Sequence, residues 1–476
     1  MKRLSLYTIL MAVILFASCS NDDSFSTDSS HLLTFTRDTV TLDTLFSNVP
    51  SSTYSFWVHN NTGDGIRINS VRLNKGNQTG YRVNVDGVYL SASTGYQTSN
   101  IELRKGDSLR VFVEITTPTN NLDSAKLVTD KLLFTLESGV QQQVVLNTYS
   151  RDAFLMRNVV FKKDTTISKS NPIIVYGGIK VDSGVTVTIA KGTTIYFHDG
   201  AGIDVYGTLR SLGEVSSPVM FRGDRTDHMF DYLPYDRVSG QWEGIRLRGS
   251  SYGNQLYNTD IHSSKYGIIC DSSDISKDKL LLNNCVIHNC KGYGIQAFSS
   301  VVNIENCQIT NTLYDCVSIT GGYTTLLQCT LGQFYPFDGN RGVALRFSNH
   351  IDKIPYPLYQ VNVINSLITG YADDQLMGDK DTTLTFKYHF MNCLICTPRV
   401  DKDTLFVNTL WESPDSTASQ SKNFRKIDTD NLYYDFRLDS LSRGIGGANT
   451  KYALPYDRLG VPRDDKPDIG CYEYVH

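Results

Sequence analysis

The sequence predicts an all-β protein: an N-terminal immunoglobulin-like β-sandwich, then a single-stranded parallel β-helix of about ten coils, then a C-terminal cap. Three observations carry this. First, one short phrase returns six times. It reads Asn258-Thr259-Asp260-Ile261, Asn284-Cys285-Val286-Ile287, Asn306-Cys307-Gln308-Ile309, Gln328-Cys329-Thr330-Leu331, Asn365-Ser366-Leu367-Ile368 and Asn392-Cys393-Leu394-Ile395. The steps are 26, 22, 22, 37 and 27 residues, the two longest reading as coils with inserted loops. A period of about 20–30 residues with apolar alternation marks a β-solenoid. Second, apolar residues elsewhere alternate in short runs closed by Gly, Asn or Asp, and no long segment has a helical period. Third, Gly (36), Tyr (28) and Phe (21) are plentiful and Met (7) is scarce, which suits strands and turns. At 476 residues the chain exceeds one compact domain, and its net charge of −4 gives no electrostatic reason to expect nucleic acid.

In chain order, Lys2-Arg3 precede an apolar run from Leu4 to Phe16, too short for a comfortable membrane span and flanked like an export signal. Ala17-Ser18-Cys19 resembles the end of a bacterial lipoprotein signal. The resemblance implies a signal peptide over 1–19 and an acylated Cys19 that holds the protein to a lipid bilayer. Ser20-Asn21-Asp22-Asp23 resembles the export signal of surface lipoproteins of Bacteroidetes, which implies an outer-membrane, cell-surface address. Residues 20–30 are Ser/Asp-rich and are predicted to be a flexible tether.

Residues 31–150 carry the sandwich. Leu33-Phe35, Val40-Leu42, Tyr54-Phe56-Val58, Ile66-Ile68, Tyr81-Val83-Val85, Leu109-Val111-Val113, Leu132-Phe134 and Val144-Leu146 alternate, with Asn/Gly/Asp turns between them. Phe56, Trp57 and Phe112 are expected to supply aromatic bulk. A spacer role is the simplest function for such a module.

Residues 155–400 carry the β-helix. Val185-Thr186-Val187-Thr188-Ile189, Gly192-Thr193-Thr194-Ile195-Tyr196-Phe197, Gly202-Ile203-Asp204-Val205-Tyr206-Gly207-Thr208-Leu209, Pro218-Val219-Met220-Phe221 and Trp242-Glu243-Gly244-Ile245 follow one another. This order resembles the opening coils of right-handed parallel β-helix lipoproteins of Bacteroidetes, in the pectate-lyase-like superfamily. Asp457-Arg458-Leu459-Gly460-Val461-Pro462-Arg463 and Asp468-Ile469-Gly470-Cys471-Tyr472-Glu473 resemble the closing motif of such proteins, in which Ala usually stands at the position of Cys471. The resemblance implies right-handedness and leaves activity open, since the superfamily holds lyases, glycosidases and adhesins. Residues 401–476 are predicted to be an irregular segment and a cap over an otherwise open solenoid end.

Within the repeat, Cys285, Cys307 and Cys329 are expected to stack inward as small core residues, not to pair. Asn284, Asn306 and Asn392 are expected at bends, their amides bonding from coil to coil as an internal ladder.

Two clusters could carry chemistry. His262 and Lys265 recur one coil later as His288 and Lys291, which stacks two imidazoles and two ammonium groups on the outer face. Such groups could bind a carboxylated polysaccharide or serve as a base, and the simpler reading is a solvated face. The insertion with Asp224, Asp227, His228, Asp231, Tyr235 and Asp236 could hold calcium or a sugar, but its spacing matches no calcium loop, so no metal or cofactor is predicted. The simpler reading is a solvated loop. The function these residues favour is non-catalytic glycan binding or adhesion at the cell surface. A polysaccharide lyase or glycoside hydrolase and a structural component of the envelope are the alternatives.

Overall fold

The computed structural model describes residues 24–122, 124–168, 171–400, 402–412 and 420–475. Cys19, the signal peptide and the first residues of the tether lie outside them. The chain divides between Asp152 and Ala153 into two compact units.

The first unit is a β-sandwich. One sheet orders Thr34–Phe35, Tyr54–His59, Ser108–Ile115, Tyr81–Val85 and Val88–Tyr89. The other orders Thr39–Thr41, Gln141–Arg151, Lys126–Leu136, Ile66–Leu73 and Gln97–Leu103, with Leu45–Phe46 also on Gln141–Arg151. Alternating residues of both sheets, among them Phe56, Val83, Val111, Phe134 and Leu146, form one core. Gln97–Leu103 was not legible as a strand because its residues are mostly exposed and polar. Of the aromatic residues Phe56, Trp57 and Phe112, Phe56 points inward with Val58, so Trp57 points out, and Arg110 lies 5.4 Å over its ring and 4.9 Å over that of Phe112. The latter half of the predicted tether is also not free. Phe25 bridges Gly65 under the Arg67 guanidinium, and Ser24 Oγ donates to Asp64 at 2.9 Å.

The second unit is a stack of parallel strands running from Phe154–Phe161 to Leu410–Glu412, so the coils continue past the expected end at 400. Each coil contributes to three faces. The first holds Val219–Gly223, Thr259–His262, Val286–Cys290, Gln308–Thr312, Thr330–Gln333, Leu367–Gly370 and Leu394–Cys396 in register. Ile261, Ile287, Ile309, Leu331, Ile368 and Ile395 point inward from it and are fully buried.

The phrase that opens each coil owes its Asn to backbone geometry. Asn258, Asn284, Asn306, Gln328, Asn365 and Asn392 have φ between 42° and 57°, a left-handed bend that Asn tolerates better than other non-glycine residues. The next residue buries a small polar side chain in the corner. Cys285 N–H donates to Cys307 Sγ at 3.3 Å, and Cys329 N–H to Ser366 Oγ at 3.0 Å. All nine described cysteines are buried. At the corners, Cys307 Sγ and Ser366 Oγ accept amides of the preceding coil, while the Cys285, Cys329 and Cys393 thiols donate to backbone carbonyls such as Leu256 O, Ile304 O and Val363 O.

The expected asparagine ladder is largely a different structure. Asn306 Nδ2 does donate to Asn284 Oδ1 at 2.7 Å. The other amides hold the C-terminal segment. Asn365 exchanges bonds with the backbone of Asn449, Asn392 donates to Gly447 O, and Gln328 accepts from Leu454 N. The cap therefore also runs along the side of the stack. The hairpin Phe424–Asp428/Tyr433–Leu438 and Ile469, Cys471 and Tyr472 bury Phe334, Leu367 and Leu394. This is why Gln308–Thr312, Thr330–Gln333 and Leu367–Gly370 are buried on both sides.

Candidate functional site

Two features stand on the β-helix surface. The first is a cleft at the corner where Gly202–Val205, Gly244–Leu247 and Ile268–Cys270 begin. Register places Gly178, Gly202, Gly244, Gly267 and Gly294 at this corner in successive coils. A Cβ on any of them would approach a backbone oxygen of the next coil, at 3.0 Å for Gly178 and Gly202, 1.7 Å for Gly244, 2.2 Å for Gly267 and 2.5 Å for Gly294. The glycines let the coils close up and leave a floor without side chains. The cleft over part of this floor has a volume of about 450 Å³ and is walled by Lys180, Asp204, Arg246, Arg248, Glu243 and Tyr266.

Its charges are mostly paired. Arg248 reaches Asp204 at 2.6 Å, Arg246 reaches Asp271 at 3.0 Å, Lys180 reaches Asp182 at 3.2 Å, and Lys265 binds Glu243. Arg157 differs. It lies 4.3 Å over the Tyr176 ring and pairs with no carboxylate among the described residues. Tyr176 lies 4.7 Å from the half-exposed ring of His198, whose Nδ1 is 2.7 Å from Asp224 Oδ2. Beyond Tyr266, Tyr293 and exposed Tyr314 continue an aromatic line, with centroids 5.1 Å apart.

The second feature joins the two clusters that the sequence shows separately. His262 and His288 are in register and stack at 4.8 Å. His262 is only 2% exposed because the insertion folds back over it. Its Nε2 is 2.8 Å from Asp236 Oδ1, and its Nδ1 is 2.8 Å from Asp260 Oδ1. His288 Nε2 lies 3.3 Å from the same Asp260 oxygen, and Arg222 holds Asp236 at 2.7 Å. Burial works to lower the His262 pKa, but the Asp260 charge and hydrogen bonds to Asp236 and Asp260 outweigh it and raise the value to about 9. Burial likewise opposes the charge of Asp260, yet the two imidazoles hold it well below the usual carboxylate range. Asp260 was missed among the candidates although it stands two residues from His262, the strand spacing that puts two side chains on one face.

The remaining candidates do not converge. Lys265 turns to Glu243, and the stem of Lys291 lies against Gly240. Asp224 pairs with His198. Asp227 is held by Arg225 at 2.6 Å, and the same guanidinium covers the Tyr235 ring at 3.7 Å. His228 and Asp231 are exposed at the insertion's tip. Asp224, Asp227 and Asp236 face cations of their own, which is not the geometry of a calcium cage.

The fold and this surface define the class. Residues 153–331 match the family described as the right-handed beta helix region, so this part of the chain is a right-handed β-helix. Among solved structures, pectate lyase Pel9A is 11% identical over 68% of this chain and 88% of that one, with a TM-score of 0.31. The catalytic unit of a thermostable GH87 alpha-1,3-glucanase from Streptomyces thermodiastaticus strain HF3-3 is 11% identical over 75% and 89%, with a TM-score of 0.24. A family 123 glycoside hydrolase from Clostridium perfringens is 6% identical with a TM-score of 0.17, and this chain spans only 26% of its length. None of the curated proteins matches the chain.

Proposed function

We propose that this chain binds an extended polysaccharide, without cleaving it, along the glycine-floored cleft of its β-helix. The observation that carries the reading is the cleft's floor: Gly178, Gly202 and Gly244 in register under a wall of tyrosine and ion pairs, the column continuing through Gly267 and Gly294. At about 4.8 Å per coil the glycine column runs for about 20 Å, the reach of a short oligosaccharide. Tyr266 offers an aromatic face to sugar C–H groups, and the unpaired Arg157 favours a carboxylated chain. Non-catalytic binding is favoured over cleavage because His262, the candidate base, is only 2% exposed beneath the insertion, with Asp236 against its Nε2, and so is out of reach of a substrate proton.

A glycan array probed with the full chain tests this. Binding to acidic polysaccharide is expected, weakened about tenfold or more by Tyr266→Ala, as for a central aromatic anchor. Absence of any glycan ligand, or wild-type affinity in Tyr266→Ala, sinks the reading. Release of unsaturated or reducing-end products would replace it with an enzymatic one. The same proposal puts the protein on a bacterial outer membrane through an acylated Cys19. Cys19→Ala is then expected to move it from the membrane to the soluble fraction, and persistence in the membrane would refute the anchor.

A further inference from the structure

We infer that Asp260, His262 and His288 form a site for one divalent transition-metal ion of the zinc kind, with Asp236 as the outer carboxylate that orients His262. The inference rests on coil register and is independent of glycan binding. Asp260 and His262 are two residues apart on one strand, and His288 is paired with His262 on the next coil. The repeat itself therefore brings three donors to one patch. Their ligand atoms all lie within 4.8 Å of one another, with Asp260 Oδ1 at 2.8 Å from His262 Nδ1 and 3.3 Å from His288 Nε2. Tetrahedral ligands at about 2.0–2.2 Å from a metal sit about 3.3–3.6 Å apart, so sub-ångström side-chain shifts accommodate an ion.

The surroundings fit a metal ligand set. His262 Nε2 faces Asp236 Oδ1 at 2.8 Å, which leaves Nδ1 as the atom turned toward Asp260 and His288. A carboxylate behind a histidine in this way fixes its tautomer and strengthens it as a ligand. Arg222 holds that carboxylate in place at 2.7 Å. Two imidazoles and one carboxylate suit Zn²⁺, Co²⁺, Ni²⁺ or Cu²⁺ and not the all-oxygen cations. The side chains of His288 and Asp260 are 25% and 29% exposed, which provides a route of entry and a fourth position for water. Bound there, the ion would link two adjacent coils and, through Asp236, the insertion above them.

The test uses the full chain without a polyhistidine tag, stripped with a chelator and titrated with Co²⁺ and Zn²⁺. The expected result is a saturating visible absorption of tetrahedral Co²⁺ at one equivalent. About one zinc per chain should be retained through gel filtration. His288→Ala removes both signals, and Asp260→Asn serves the same purpose if that variant does not fold. Asp236→Asn keeps the stoichiometry and weakens affinity by about 10–100-fold. No uptake of either ion overturns the inference, as does uptake unaffected by both ligand variants. An intense near-ultraviolet thiolate band would also overturn it, by placing the ion on cysteine.

Discussion

Gly244→Ala is expected to prevent the β-helix from forming. The added methyl carbon would lie 1.7 Å from the Tyr266 carbonyl oxygen and 2.8 Å from its carbon, both backbone atoms of the next coil. The backbone there also has φ +97°, outside the range of an alanine. A flexible side chain could yield to such a clash, whereas a backbone carbonyl cannot move without breaking the parallel ladder between Gly244–Leu247 and Ile268–Cys270. The cost is expected to exceed about 4–5 kcal/mol, the range reached only by severe core lesions. Gly253→Ala is the control, since it has φ +65° and nothing within 4 Å of the new carbon. It should cost only the local backbone strain of about 1–2 kcal/mol. Far-ultraviolet circular dichroism and thermal melts of the full chain would separate the two. Equal stability of the two variants would show that the coils are not closed up at this corner.

Arg463→Ala is expected to cost about 3–5 kcal/mol, the usual penalty for breaking a buried ion pair. The Arg463 side chain is 2% exposed and pairs at 2.8 Å with Glu473, which is 6% exposed. It also donates to Asn306 Oδ1 at 3.0 Å and to Gly470 O at 2.9 Å, so it fastens the C-terminal segment to the coil. Alanine leaves the Glu473 carboxylate buried without its cation. Burial, with Asp468 beside it, already raises the Glu473 pKa, against the pull of Arg463. Losing the arginine raises it further. A carboxyl whose folded pKa is raised contributes stability below its unfolded value and loses it as pH rises through the folded value. The difference between wild type and variant should therefore be full at neutral pH and shrink as pH falls toward 4.5, the ordinary Glu value. Urea midpoints across this range measure it, and a pH-independent difference would show that the lost hydrogen bonds, not the stranded charge, dominate.

Much of the architecture is legible because a solenoid is nearly one-dimensional. Ile261, Ile287 and Ile309 repeat at one offset, and each meets the same neighbours one coil away. The period therefore encodes the contacts directly. The inward cysteines and the stacked His262 and His288 follow from the same rule. Trp57 carries its aromatic bulk on the outer face, since its neighbours Phe56 and Val58 already claim the inner one. The asparagines stand at bends as the repeat predicts, and Asn306 and Asn284 do bond to each other. The amides of Asn365, Asn392 and Gln328 instead meet the segment around residues 447–454, which arrives from far along the chain.

By itself the sequence determined the all-β class, the coil period, the burial of the thiols and the in-register histidine pair, all of which depend on residues one repeat apart. Only the tertiary structure decided that Asp236 comes down on His262, that five glycines align along one corner with a cleft over three of them, and that the C-terminal segment covers the first face. Those contacts join loops of unequal length and segments more than a hundred residues apart, and their free energy lies in shape and charge at the meeting point, which no local period encodes.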